Sequence, residues 1–194
     1  MSKAIKNAEL KRDSIVAAAE ALFLRQGYGV TSMDKVAETA AVTKQTVYRY
    51  YPSKEELFAA VMKGVRGKET VVYEFASSNV KAELTGYGEY LLGFHLKPDA
   101  LGLYRLMLAE GANEKLMKVF MSTGPKQVLK PLLEFLSREY PTLDNRAFNA
   151  EMFATMILAP RNQLIMNGKK QFKKSAQKEH VGKVVELFLK VIDA

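Results

Sequence analysis

The spacing of hydrophobic and polar positions predicts helices along nearly the whole chain. Between residues 31 and 54, a first short segment places apolar side chains at the i, i+3, i+4, i+7 spacing of one buried helix face: Met33, Val36, Ala37 and Ala40. A break at residues 41–43 follows. A second, largely polar segment then surrounds one apolar residue, Val47. Two short helices joined by a tight turn are typical of a helix-turn-helix motif.

The polar residues of the second segment suit the major groove of DNA, where the second helix of such a motif lies. Lys44 can donate to guanine, Gln45 can bond adenine, and Thr46 can meet a phosphate or a thymine methyl. Alone, this segment would be an ordinary surface helix, and its context favours DNA. Thr31, Ser32 and Thr43 are candidates as N-cap residues, and tyrosines and basic residues at the end of the motif are candidates to bind phosphates. The predicted DNA-binding set is Thr31, Ser32, Thr43, Lys44, Gln45, Thr46, Tyr48, Arg49, Tyr50 and Lys54.

The remaining pattern is also helical, and no useful β-alternation appears. A first helix is predicted at about 8–26, and a capping box of Ser53 and Glu56 begins another at about 53–77. Proline and glycine then separate helices at about 81–96, 98–110, 113–122, 125–139, 144–167 and 174–192. The predicted core of the N-terminal part comprises Phe23, Val36, Val42, Val47 and Leu57. The fold class is therefore all-α.

Residues 12–58 resemble the DNA-binding domain of the tetracycline-repressor (TetR) family of transcription regulators. The matching elements are IVAAAEALFLRQGYGVTSM and VAETAAVTKQTVYRYYPSKEELF. Two later segments, LYRLMLAEGANEKLMKVFMSTGP and FATMILAPRNQLIMNG, are similar to the C-terminal domain of the AefR-like branch. The resemblance implies a helix-turn-helix DNA-binding domain at 1–54 and a helical ligand-binding and dimerisation domain at 55–194, linked by the helix at about 53–77. That helix is the expected lever between the two.

One position departs from the family pattern. Ala41 stands in the turn where the family usually has glycine, which adopts positive φ at little cost. If φ at residue 41 is positive, Ala41→Gly should raise the melting temperature. If the turn has been reshaped to negative φ, the same change should lower it.

The amino-acid composition adds modest support to the DNA-binding prediction. The 194 residues carry a net charge of +8, which suits a polyanionic partner. Residues 1–54 hold 9 basic against 5 acidic side chains, so positive charge is denser there than in the longer remainder. There is no cysteine, and the two histidines lie 85 residues apart, so neither a metal site nor a cofactor nor an enzyme is predicted. Without a secretory leader or a membrane-spanning run, the expected location is the cytoplasm.

Aromatic and methionine side chains are plentiful between residues 73 and 121, and such side chains can line an apolar ligand pocket. Core packing is the alternative for each of them. Glu110, beside an apolar run, would select a cationic or hydrogen-bonding ligand if it faced that pocket. The candidate pocket residues are Phe75, Tyr87, Tyr90, Phe94, Tyr104, Met107, Glu110, Phe120 and Met121.

The last two predicted helices are apolar on more than one face, so they must be buried on more than one side. The family's usual dimer interface, a four-helix bundle, implies the candidates Phe153, Met156, Ile157, Leu164, Val181, Val184, Val185 and Phe188. Burial within the monomer is the alternative. Pro160 should leave carbonyls near residues 155–156 without a helical partner. A lysine-rich run at 169–178 is interpreted as a solvated loop.

These observations predict a homodimeric repressor that binds a palindromic operator on double-stranded DNA. A small, largely apolar inducer would release it by favouring another dimer geometry. Two alternatives stay open: a non-specific DNA-binding protein, and a helical small-molecule-binding protein whose DNA-binding motif is inactive. No membrane partner is expected.

Overall fold

A computed structural model describes residues 3–67, 73–123, 125–166 and 172–193. Within these ranges the chain forms ten α-helices and no strand. The helices are α1 (Lys3–Gln26), α2 (Met33–Thr39), α3 (Lys44–Tyr50), α4 (Lys54–Gly67), α5 (Val80–His95), α6 (Pro98–Ala109), α7 (Glu114–Thr123), α8 (Pro125–Glu139), α9 (Arg146–Met166) and α10 (Lys174–Ile192). The all-α prediction is confirmed.

The helix predicted at about 53–77 does not extend that far. Helix α4 ends at Gly67, and residues 73–79 are irregular. The buried carboxylate of Glu83 explains this segment, because it accepts hydrogen bonds from the backbone N–H groups of Ala76 and Ser77, at 3.1 and 2.6 Å. The hydroxyl of Tyr73 donates to the same carboxylate at 2.9 Å. Side-chain bonds thus satisfy backbone groups that a helix would have used, and the expected continuous lever is not present after residue 73.

The helices form two compact units that do not follow the predicted division at residue 54. The first comprises residues 1–68 and 102–124, and the second comprises residues 69–101 and 125–194. Of the predicted core residues, Phe23, Val36, Val47 and Leu57 are fully buried in the first unit, and Val42 is partly buried and packs against that core. It also takes in Leu103, Leu106, Met107 and Leu116 from α6 and α7. The helix-turn-helix segment is therefore supported by residues distant in the sequence.

The second unit packs α5, α8, α9 and α10 around a separate core. Phe153 and Phe188, with ring centroids 4.9 Å apart, join α9 to α10. Close packing at Gly88 brings the backbone of α5 near both helices. A Cβ there would lie 2.8 Å from Val181 and 2.9 Å from Ile157, so the absence of a side chain permits this approach.

Helix α9 contains Pro160, which cannot donate to the carbonyl of Met156. His180 on α10 takes over that role, because its Nε2 lies 2.9 Å from the Met156 oxygen and 3.2 Å from that of Ile157. Since carbonyl oxygens accept, the ring nitrogen donates. The predicted orphan carbonyl is therefore satisfied by a side chain of the neighbouring helix.

Part of the predicted lysine-rich loop, including Lys169 and Lys170, lies outside the described residues. Among the helices in the described ranges, none is both long enough and apolar enough to span a membrane.

Candidate nucleic-acid interface

Helices α2 and α3 are both short and both begin at a hydroxyl cap. The side chain of Ser32 accepts from the Lys35 N–H at 3.1 Å, and that of Thr43 accepts from the Thr46 N–H at 3.2 Å. Val47 is fully buried and holds the centre of α3 against the first core. Seven residues make a marginal helix in isolation, so the caps and this one anchor fix where the polar side chains of α3 point.

The turn between these helices has the geometry that the family's glycine would adopt. Ala41 has φ 53°, in the left-handed region. Its N–H donates to Glu38 O, and the Val42 N–H donates to Ala37 O, which is the pair of bonds of a Schellman motif. The turn therefore has positive φ at the alanine, and the positive-φ expectation for Ala41→Gly applies.

Helix α3 presents Lys44, Gln45, Tyr48 and Arg49 to solvent. Thr43 and Thr46 bond each other through their hydroxyls at 2.8 Å. Exposed donors and acceptors on one face of a rigidly held helix have the chemistry needed to contact base edges and phosphates. The structure thus brings together the central residues of the predicted DNA-binding set.

A carboxylate that the sequence analysis did not identify lies beside these donors. Asp34, in the first turn of α2, is bonded by the Lys44 ammonium through both of its oxygens, at 2.8 and 3.0 Å. The hydrogen bond and the charge of Asp34 raise the pKa of Lys44. Lys44 Nζ also lies 5.9 Å from the centre of the Tyr48 ring. Lys44 is therefore a positioned charge, although no sequence spacing marks Asp34 as its partner ten residues away.

At the other end of α3, Tyr50 is half-buried against the first core. Two guanidinium groups lie over its ring, that of Arg49 at 5.0 Å and that of Arg12 from α1 at 5.4 Å. Such cation–π contacts hold positive charge near the end of the helix. Arg12 is a second member of this surface that could not be predicted from sequence, because Arg12 and Tyr50 are far apart in the chain and meet only in the folded structure.

Two residues of the predicted DNA-binding set make contacts within the protein. Thr31 is only 1% exposed, and its hydroxyl donates to Gly27 O at 2.7 Å. The Lys54 ammonium donates to three backbone oxygens of the loop between α1 and α2, those of Tyr28, Gly29 and Thr31, at 2.6, 3.2 and 2.8 Å. Burial lowers the pKa of Lys54. With its three donors occupied, Lys54 holds this loop in place, and its predicted phosphate contact stays a prediction.

Glu110 holds the same loop from the other side. Its Oε1 accepts from the Gly29 N–H at 2.7 Å. The loop also carries Tyr28, whose ring lies 4.2 Å from the Lys54 ammonium. Burial, with smaller effects from Glu55 and Glu110, raises the pKa of Tyr28 to about 12. Glu110 is therefore assigned to this loop, which corrects its expected role in a ligand pocket.

The other pocket candidates are distributed between the two units, so neither unit contains them all. Phe75, Tyr87, Tyr90 and Phe94 belong to the second unit, and Tyr104, Met107, Phe120 and Met121 belong to the first. Met107 is buried in the first core and Met121 is 48% exposed. In the second unit, Phe75 stacks on Phe135 at 4.3 Å, and Tyr73, Tyr87 and Tyr90 extend this aromatic cluster.

The predicted dimer-interface residues face the interior of the second unit. Phe153, Ile157, Leu164, Val181, Val184, Val185 and Phe188 are buried, and Met156 is half-buried. Burial within the monomer, the alternative, accounts for them. The exposed apolar residues of α9 and α10 are different: Phe148, Met166, Leu187 and Val191, at 60%, 83%, 53% and 48% exposure.

Comparison with known proteins gives two family matches. A model described as bacterial regulatory proteins, tetR family, matches residues 15–61. A second, described as AefR-like transcriptional repressor, C-terminal domain, matches residues 82–191. Among curated proteins, the chain is 31% identical over 109 residues to the HTH-type transcriptional repressor SCO4008 of Streptomyces coelicolor, covering 56% of this chain and 53% of that protein.

A second curated relative is the HTH-type transcriptional activator FasR of Mycolicibacterium smegmatis, 36% identical over 52 residues, or 27% of this chain and 24% of that protein. The chain thus spans about half the length, or less, of these curated relatives. A solved structure titled flavonoid-responsive regulator FrrA matches with TM-score 0.77 and 27% identity, covering 93% of this chain and 96% of that one. A TetR-family structure from Mesorhizobium loti matches with TM-score 0.75, 23% identity and 98% coverage of each chain, and shows the shared fold.

Proposed function

Because the chain belongs to the TetR family of bacterial regulatory proteins, with an AefR-like C-terminal domain, we propose that it is a ligand-responsive transcriptional repressor that binds a palindromic operator as a homodimer. The main support for the proposal is the exposed face of α3. Its hydrogen-bond donors are held in position because Val47, on the same helix, is buried in the first core. The protein acts where the chromosome is, in the cytoplasm, and no catalytic role is proposed.

The residues of the motif fall into two groups, those proposed to contact bases and those proposed to contact phosphates. Lys44, Gln45 and Thr46, at the start of the helix, are proposed to contact bases, because the first residues of a recognition helix reach the base edges. The remaining exposed polar groups around the motif are proposed to hold phosphates and so fix the register. These are Ser32, Thr43, Tyr48 and Arg49, with Tyr50 positioning Arg49.

The proposed dimer contact uses the outward stripe of α9 together with that of α10. On α9 this stripe runs at helical spacing through Phe148, Met152, Thr155, Ala159, Asn162 and Met166. On α10 it includes Leu187 and Val191. Large apolar side chains exposed this strongly on adjacent helices are typical of an interface. A dimer matches a two-fold site, which a single seven-residue recognition helix cannot exploit.

The proposed inducer is a small, largely apolar molecule bound in the C-terminal domain. The aromatic cluster of the second unit supports an aromatic ligand, because stacked rings such as Phe75 and Phe135 offer faces to a planar molecule. Phe75 and Tyr90 are only half-buried and can rearrange. The flavonoid response named for the FrrA structure, at 27% identity, points the same way.

Fluorescence anisotropy with the DNA flanking the gene tests the DNA-binding function, against a shuffled duplex and across salt concentrations. A specificity ratio of about 10³ or more is expected. Gln45→Ala should lower that ratio, whereas Gln163→Ala, an exposed glutamine of α9, should not. Equal, steeply salt-dependent binding to both duplexes would refute the proposal and favour the non-specific alternative.

Two further measurements test dimerisation and ligand response. Sedimentation velocity should show a dimer that Leu187→Glu dissociates. Leu108→Glu, at a similarly exposed apolar residue of α6, should leave it intact. Persistence of the dimer in Leu187→Glu would reject the proposed surface.

The ligand response is tested by adding a panel of flavonoids to the protein–operator complex. A flavonoid that acts as an inducer should lower the anisotropy of the labelled operator DNA.

A further inference from the structure

We propose that Asp34 is a specificity-determining residue: by holding the Lys44 ammonium, it withholds that charge from phosphates while leaving it able to bond a guanine. The proposal rests on the DNA-binding function above and assigns a role to an acidic residue within a basic surface. Asp34 lies on α2 and Lys44 on α3, so their bond joins the two helices of the motif.

The geometry of the pair fixes the position of the Lys44 charge. Both Asp34 oxygens lie within hydrogen-bond distance of Nζ, at 2.8 and 3.0 Å, and the centre of the Tyr48 ring lies 5.9 Å from Nζ. The Lys44 and Asp34 side chains are 61% and 63% exposed, so the pair stands at the surface that DNA must approach. In the free protein the Lys44–Asp34 pair adds no net charge to that surface.

Non-specific DNA offers chiefly phosphates, and binding to it comes almost entirely from neutralising them. Lys44 can reach a phosphate with a spare N–H donor while it keeps Asp34, but the carboxylate then lies beside the DNA backbone as a repulsive charge that offsets the contact. The pair therefore penalises contacts to random sequence. Specificity commonly depends on such repulsion against the wrong partner as well as on attraction to the right one.

A contact to guanine differs from a contact to phosphate. The lysine ammonium has three N–H donors, so it can keep Asp34 with one and donate to guanine O6 and N7 with the other two. The carboxylate is also compatible with this base pair, because cytosine presents an amino donor that Asp can accept. The pair is therefore compatible with a guanine–cytosine base pair, whereas its carboxylate is repelled by phosphates.

The test uses the full-length protein and anisotropy with two duplexes, the operator and a shuffled sequence, across salt. Asp34→Asn should tighten binding to the shuffled duplex by roughly 3–10-fold and steepen its salt slope by about 0.9, the value of one added phosphate contact. Operator affinity should change by less than about 2-fold, since the guanine contact was already made. The specificity ratio should therefore fall.

Glu38→Gln is the matched control. It removes the same charge from the same helix, but Glu38 pairs with Lys35 within α2, at 2.8 Å, and not with α3. Its effect on both duplexes should be smaller and equal. In a Lys44→Ala background, Asp34→Asn should do no more than Glu38→Gln does.

Three results would overturn the proposal. Matching effects of Asp34→Asn and Glu38→Gln would mean that only net charge matters. Persistence of the Asp34→Asn effect without Lys44 would mean that Asp34 repels phosphates directly. Wild-type protein that binds both duplexes equally would reject the DNA-binding function itself, a failure visible before any substitution is made.

Discussion

Replacing His180 with alanine should destabilise the second unit, and the loss should shrink when Pro160 is also replaced. His180 Nε2 donates to the Met156 carbonyl, 2.9 Å away, which Pro160 leaves without its helical partner. His180→Ala removes the side-chain donor that substitutes for the missing backbone N–H. Pro160→Ala restores an N–H at the position that normally bonds that carbonyl.

The magnitude follows from the state of that carbonyl in each variant. With Pro160 present, loss of His180 leaves the Met156 oxygen without either donor, a cost of about 1–3 kcal/mol in the free energy of unfolding. With alanine at 160, the carbonyl keeps a backbone partner, so only a surplus bond of about 0.5–1.5 kcal/mol is lost. The two substitutions should therefore couple by about 1 kcal/mol.

Urea unfolding of the four proteins, followed by far-UV circular dichroism at one protein concentration, measures this coupling. The four proteins form a double-mutant cycle. Effects of Pro160→Ala alone, such as higher helix propensity and changed packing, are present both with and without His180 and therefore cancel. Pro131→Ala on α8 is the control: that proline removes the helical partner of a carbonyl on α8 and not that of Met156, so its effect should simply add to that of His180→Ala. Additivity of the 160 and 180 changes within about 0.3–0.5 kcal/mol would refute the reasoning.

Three further outcomes are expected. Ala41→Gly should stabilise the protein by about 0.5–1 kcal/mol, since relief of left-handed strain exceeds the entropy cost of glycine, and a lower melting temperature would contradict this. Glu110→Ala should destabilise the first unit by about 1 kcal/mol through loss of its loop hydrogen bond, whereas an unchanged melting temperature would show that the bond is dispensable. Burial, aided by nearby carboxylates, raises the pKa of Tyr28, Tyr73 and Tyr140 to about 12 from 10.0, so stability present below pH 10 should fall as pH rises towards 12. Tyr28→Phe should weaken that fall in urea titrations across this range, and stability independent of pH there would contradict the assignment.

The helix-turn-helix segment was predictable from sequence because its signals are local. Helix caps, i, i+3, i+4 spacing and one anchor such as Val47 act within a few residues. The roles of Lys54 and Thr31 were not predictable in the same way. From the sequence, a lysine that follows a recognition helix could bind a phosphate or a backbone carbonyl. Only the folded path of residues 27–31 reveals that backbone carbonyls occupy its donors.

The C-terminal helices illustrate a second limit. A helix that is apolar on several faces must be covered on several sides, but its sequence does not say which side its own chain covers. For Phe153 and Val185 the cover is the unit itself, which leaves residues such as Leu187 facing outward. Asp34 was missed because ion pairs between helices depend on tertiary placement rather than on spacing along one helix.

The composition of the first core has a consequence for synthesis. Val65 emerges from the ribosome well before Leu116, which belongs to the same core and is made 51 residues later. At about 5–20 residues per second, the wait is roughly 3–10 s. During that time the nascent helix-turn-helix segment lacks part of its apolar cover, so it is then exposed to chaperones and proteases. A fragment ended at residue 68 would remain permanently in that unfinished state.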